Sequence, residues 1–266
     1  MIFISCAKTM AQTCPNAVPY VSEPEYLPYA EELVKKMAAF SEDELADALK
    51  VSPRIAAENK MRYTDILHGE AEMMPAVFAY TGVVFKHMAP QSFSAADLAY
   101  AQDHLRITSF LYGLLRPLDA ISSYRLEGGM KPDPGSGKSI FNHWQKLLTE
   151  NFIAEIKANG GILVNLASDE MKKLFDWKKI ESEVRVIHPE FLSKGKNGKT
   201  KTTVIYAKMC RGEMTRHILL NRIERPESLK EFSNGGFVFA RDLSTCSKYV
   251  FVKEQDYVRR NVFNIP

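Results

Sequence analysis

Two arginines, Arg116 and Arg125, and two carboxylates, Asp119 and Glu127, fall within a dozen residues of the stretch Leu105–Met130. Such a density of opposite charge either meets an anionic ligand or closes on itself as a structural network. The same chemistry recurs just past short apolar runs. Lys8 follows Met1–Ser5, and Ser168, Asp169 and Glu170 follow Ile162–Leu166. Lys208, Arg211 and Thr215 share one helix face. If these groups converge, Arg116, Arg125 and Arg211 would clamp an anion, Lys8 would serve as electrophile or base, and Asp169 or Glu170 would carry a proton. Each group also has a plainer reading. Lys8 can be an exposed loop lysine, and Ser168, Asp169 and Glu170 can simply cap and charge a helix N-terminus.

The elements that would position these groups follow from pattern and punctuation. Leu105–Tyr112 alternates like a strand covered on both faces, and Pro117 forces a turn after Arg116. Met1–Ser5 and Ile162–Leu166 read as short buried strands, with a helix over Ile140–Asn159 ending at Gly160-Gly161. The prolines at 15, 19, 24 and 28 mark a surface loop before a helix over Tyr29–Phe40. Ser41 and Glu44 form a capping box, and Ser52-Pro53 opens the next helix, so Ser41–Ile66 reads as helix, tight turn, helix. Lys50, Arg54 and Lys60 flank or follow that turn. They fit a phosphate contact at the second helix's N-terminus or the solvated basic edge of an αα-hairpin. Ser94 and Asp97 start a helix over Ala95–His104. Val184–Phe191 reads as a strand, Asn197-Gly198 as a hairpin turn, Thr202–Ala207 as the return strand and Lys208–Ile223 as a helix. Tyr249–Lys253 reads as a last strand, before a basic tail near Arg260.

Composition bounds the function classes. The 266 residues are 45% hydrophobic and 25% charged with a net charge of +3, which is globular and too mildly basic to argue for nucleic acid without a local patch. Cys6, Cys14, Cys210 and Cys246 form no C-x-x-C pair, and no signal peptide or membrane span is legible, so the expectation is a cytoplasmic protein with free thiols. Cys6 is either a redox-sensitive thiol activated by Lys8 or a small buried residue at a strand end. No H-E-x-x-H, G-x-S-x-G or cysteine–histidine ligand cluster appears, and no metal site or cofactor is expected. Gly137-Lys138-Ser139 lacks the first glycine and the preceding strand of a phosphate loop.

Four segments in order, ISCAKT at 4–9, LYGLLRPLD with YRLEGGM inside 111–130, NLASDE at 165–170 and YAKMCRG at 206–212, resemble the signature of the YaaA family of bacterial peroxide-stress proteins. The resemblance implies one α/β (α+β) domain spanning 1–266, with a central mixed sheet flanked by helices and a basic cleft. It also implies a helix-hairpin-helix-like insertion mapping to 41–66. It implies a role in limiting damage from intracellular iron under peroxide stress, association with double-stranded DNA, and no established reaction. The polar signature positions map to Lys8, Arg116, Asp119, Arg125, Glu127, Asn165, Ser168, Asp169, Glu170, Lys208 and Arg211. The chain departs from the pattern at Cys6, where the family has Pro, at Gly82-Val83-Val84-Phe85, where it reads Gly-Asp-Val-Tyr, and at Ala240-Arg241-Asp242, where it is acidic.

Two expectations follow. A monomer binds duplex DNA through a cleft containing Lys8, Arg116, Arg125, Lys208 and Arg211, supported by Asp119, Glu127, Asn165 and Ser168, with Lys50, Arg54 and Lys60 adding phosphate contacts. Alternatively, an enzyme acts on a small, nucleotide-like anion in the same cleft, with Lys8, Asp169 and Glu170 as candidate catalytic groups. Whether a reaction is catalysed stays open.

Overall fold

Strand β1 (Ile2–Ile4) is wholly buried because it runs parallel between β3 (Leu105–Ser109) and β6 (Ile162–Asn165). The computed structural model describes residues 1–11, 13–14, 18–133, 135–195 and 199–254. Beyond β6, β7 (Arg185–Lys194) runs parallel to β6, and β10 (Lys248–Glu254) runs parallel to β7. Five parallel strands therefore stand in the order β3-β1-β6-β7-β10. By rank in the chain this is 2-1-3-4-5, the flavodoxin-like doubly wound order. Antiparallel β4 (Gly113–Leu115) and β9 (Val238–Phe239) extend the two edges, and β8 (Thr200–Lys201) pairs with the far end of β7 to complete a mixed eight-stranded sheet. A small antiparallel pair, β2 (Met73–Pro75) with β5 (Ala120–Ser122), stands apart.

Helices cover the sheet through apolar faces. Phe3 of β1 packs its ring against Phe152 of α7 (Ile140–Ala158) and against Phe175 and Trp177, the latter opening α9 (Trp177–Glu183). Helices α9 and α10 (Val204–Leu220) pack against β7. The amino-terminal half of the chain supplies α1 (Leu27–Ala39), α2 (Glu42–Leu49), α3 (Pro53–His68), α4 (Ala76–Ala79), α5 (Val83–Met88) and α6 (Ala95–His104), and α8 (Asp169–Lys172) follows β6. The expected capping boxes form: Ser41 with Glu44 starts α2, and Ser94 with Asp97 starts α6.

Several expected boundaries move. The strand begun at Leu105 ends at Ser109, not Tyr112, because the Ser109 hydroxyl accepts from the Tyr112 amide at 2.9 Å and turns the chain. Gly113 then starts β4 with φ +74°, pressed against Trp144, whose ring lies 2.8 Å from where a Cβ would stand. The expected return strand Thr202–Ala207 is replaced by the start of α10 at Val204. The run instead enters a helix that packs on α5 and β7, so tertiary context overrides local propensity. The Asn197-Gly198 turn and the basic tail near Arg260 lie outside the described residues.

Candidate functional site

In a doubly wound sheet the crevice opens where adjacent strands send their connections in opposite directions, at the strands' carboxyl ends. Here that point lies between β1, which connects toward β3, and β6, which connects toward β7. A cleft of about 340 Å³ lies there. Its walls include Ser5, Cys6, Lys8 and Thr9 after β1, Phe110 after β3, Ser168 and Glu170 after β6, Val83–Phe85 of α5, Arg125, and Lys208 and Arg211 of α10.

Two glycines set the walls. Gly212 lets α10 lie directly on α5: a Cβ there would stand 2.1 Å from the Val84 carbonyl oxygen. Gly82 does the same for the Lys8 segment, since a Cβ would stand 2.7 Å from that of Ala7. At the crevice, the Ser168 amide donates to the Ser5 hydroxyl at 2.9 Å, and the two hydroxyls are 3.3 Å apart. Ser168 therefore ties β6 to β1, and its side chain does not cap α8 as expected.

The cations differ in their engagement. Lys8 Nζ donates to both Glu127 oxygens, at 3.0 and 2.9 Å, and Arg125 Nη2 donates to Glu127 Oε1 at 3.1 Å, so one carboxylate bridges two cations. Arg125 Nε is buried without a partner among the described residues. Arg211 is half-buried and forms no hydrogen bond or ion pair with a described residue; burial lowers its affinity for its proton, and Asp169 opposes that only partly. Lys208 is exposed on the rim.

The two acids after β6 separate. Glu170 lines the cleft. Asp169 pairs with Lys172 at 2.8 Å, its side chain 94% exposed, and that bond holds its carboxyl below the usual range. Asn165 is buried behind the crevice, accepting from the Ala167 amide at 3.1 Å and lying 3.2 Å from His188 Nδ1.

Five expected site residues lie elsewhere. Arg116 and Asp119 close a turn on themselves: the carboxylate, fully buried, accepts from the Arg116 amide at 2.8 Å, its Nε at 3.0 Å and the Ser22 hydroxyl at 2.7 Å. Arg116 also donates to the Glu23 carbonyl at 2.8 Å, pinning the proline-rich loop. Lys60 donates to the carbonyls of Ala38 and Phe40, capping the C-terminus of α1. Lys50 and Arg54 are exposed on the α2–α3 hairpin and do not line the cleft.

Cys6 takes the plainer of its two readings. Burial pushes its thiol up to about 12, with Glu170 and Glu127 raising it further, while the charge of Lys8 is engaged by Glu127. Among the described residues no three His, Cys, Asp or Glu side chains are placed to hold a metal ion, and no helix is long and apolar enough to cross a membrane. Residues that the sequence reading missed include Ser5, Phe110 and Tyr124 on the cleft wall; Ser5, inside the first signature segment, is the one a pattern might have flagged.

Comparison with known proteins agrees with the signature segments. Residues 1–243 match the family model described as "Peroxide stress protein YaaA". A UPF0246 protein of Bacteroides fragilis is 53% identical over 252 residues, covering 94% of this chain and 97% of that protein. A UPF0246 protein of Phocaeicola vulgatus is 53% identical over 251 residues, covering 94% and 98%. One from Porphyromonas gingivalis is 42% identical over 257 residues, covering 96% and 100%. With residues 1–243 matched to that family model and half-identical relatives covering nearly the whole chain, the chain belongs to the YaaA family of peroxide-stress proteins.

Proposed function

We propose that the protein serves the peroxide-stress response by holding a small phosphorylated, nucleotide-sized anion in the basic cleft between β1 and β6. One observation carries this reading: Arg211 is a half-buried guanidinium on the cleft wall that makes no hydrogen bond or ion pair with a described side chain, Asp169 opposing its burial only from a distance. A charge taken partly out of water without a partner is costly, and a phosphate between Arg211, Lys208 and Arg125 would supply one. The volume falls in the range of small-molecule sites. If a reaction takes place, Glu170 and Lys8 are the groups placed to move a proton, since Asp169 faces solvent. The test is calorimetric titration with inorganic phosphate and adenosine 5′-monophosphate at low salt. Saturable binding that falls at least about tenfold in Arg211→Ala is expected, from the loss of a charged hydrogen-bond partner. No binding of either by the wild-type chain at millimolar concentration would overturn the reading.

Duplex DNA is the second reading, favoured by the α2–α3 hairpin as a helix-hairpin-helix-like element. Lys50 and Arg54 are exposed there, and Ser52 makes no side-chain bond to the first turn of α3, leaving its N–H groups for a phosphate. Duplex affinity that falls steeply with salt, with a slope reduced in Lys50→Ala/Arg54→Ala, supports it. A flat salt response sinks it.

A further inference from the structure

Arg125 reaches the cleft from an irregular segment, 123–127, with neither helix nor strand to hold it. Its own main-chain carbonyl is fixed from outside. Tyr63, in the middle of α3 and fully buried, donates its hydroxyl to that carbonyl at 2.6 Å, across 62 positions of sequence. Burial raises the Tyr63 phenol well above its ordinary range, so it stays protonated and remains a donor at any working pH. On the other side of the same residue, the guanidinium touches Glu127 while its Nε, buried, is left without a partner.

Helix α3 is itself anchored one turn before Tyr63. Lys60 reaches back to the last carbonyls of α1, at Ala38 and at Phe40, the latter at 2.7 Å. A chain of fixed contacts thus runs from the end of α1 through Lys60 and Tyr63 to the backbone of Arg125. Removing the phenol would free a carbonyl on a segment whose side chain must meet an anion within a few tenths of an ångström.

We propose that Tyr63 is a positioning residue for the anion cleft, acting through Arg125, so that the helical hairpin sets the cleft's affinity as part of the same device. This rests on the anion-binding reading above. The test uses the full chain, with phosphate and adenosine 5′-monophosphate as probes, in wild type, Tyr63→Phe, Arg125→Ala and the double variant. Tyr63→Phe keeps the ring and removes one hydrogen bond, so a three- to tenfold weakening is expected, roughly the scale of such a bond. In the Arg125→Ala background the same change should have no further effect, because its route to the ligand is gone. Phe251→Leu, buried in β10 far along the sheet, controls for general loss of stability and should leave affinity unchanged. Wild-type affinity in Tyr63→Phe while Arg125→Ala is weakened, or effects of the two that simply add, would overturn the inference and leave the anion reading standing. Failure of the wild-type chain to bind either probe would remove both.

Discussion

The turn at Arg116–Asp119 and the cleft at Arg211 are both built from signature arginines, yet they are opposites in physical state. In the turn every charge has its partner: the buried Asp119 carboxylate accepts from three donors, and Arg116 also reaches a backbone carbonyl. In the cleft a half-buried guanidinium makes no hydrogen bond or ion pair with any described side chain, and Asp169 offsets its burial only partly. A satisfied arginine holds structure together, whereas an unsatisfied one is left for a ligand. Spacing along the chain does not distinguish the two; the contacts do.

The sharpest way to break that comparison is to remove each arginine and read stability and affinity separately. Arg116→Ala should cost about 2–3 kcal/mol in denaturant unfolding, because Asp119 stays buried with its charge partner gone. Its phosphate affinity should not change. Arg211→Ala should show the reverse, with anion affinity lost at least about tenfold and no loss of stability. If Arg116→Ala were the variant that lost the ligand, the division between turn and cleft would be wrong.

Lys60→Met sharpens the contrast at an intermediate size. It uncaps two carbonyls of α1, so about 1–2 kcal/mol of stability should go, with a smaller loss of affinity relayed through Tyr63. Full retention of both in chemical unfolding and calorimetry would mean that the lysine is a surface group after all.

Acid separates the two regions without mutation. Burial lowers the proton affinity of His104, His143, His188 and His217, none of which lines the cleft. A group depressed in the folded state contributes stability above its unfolded value, about 6.5, and loses it as pH falls through the folded one. The urea midpoint should therefore drop between pH 7 and pH 5 while phosphate binding by Arg211 persists in the folded fraction. A midpoint flat over that interval would contradict the assignment.

The smallest effect is a rate. Maleimide labelling of the native chain at pH 8 should mark the exposed Cys14 and Cys246 and spare Cys6 and Cys210, whose thiols burial pushes up to about 12. Rapid modification of Cys6 would restore the redox reading that the cleft geometry removes.

Much of this architecture was legible in the residues. The capping boxes at Ser41 and Ser94, the helix over Ala95–His104 and the strand after Gly161 rest on local chemistry, and local chemistry is what a sequence displays. The sequence reading gathered Lys8, Arg116, Arg125, Asp169, Glu170, Lys208 and Arg211 in one cleft; five of them line the crevice, while Arg116 closes a turn elsewhere and Asp169 faces solvent. What could not be read depended on distant partners. Lys60 looked like a phosphate contact because its true acceptors belong to the end of another helix. Ser168 looked like a cap because Ser5, its actual partner, lies 163 positions away. Thr202–Ala207 looked like a strand because nothing in the run itself reveals that it opens a helix packed on α5 and β7.

Strand β1 lies inside the sheet, flanked on both sides. Its neighbours come from residues 105–109 and 162–165, and the arginine that completes the cleft waits until position 211. This pairing is non-local, so β1 stays an unpaired apolar segment until residues 105–109 have been synthesised. A polypeptide stalled between residues 165 and 211 would carry Lys8 and Arg125 but lack Arg211. Premature termination in that interval should thus weaken anion binding through the loss of Arg211, with Lys8 and Arg125 still in the chain.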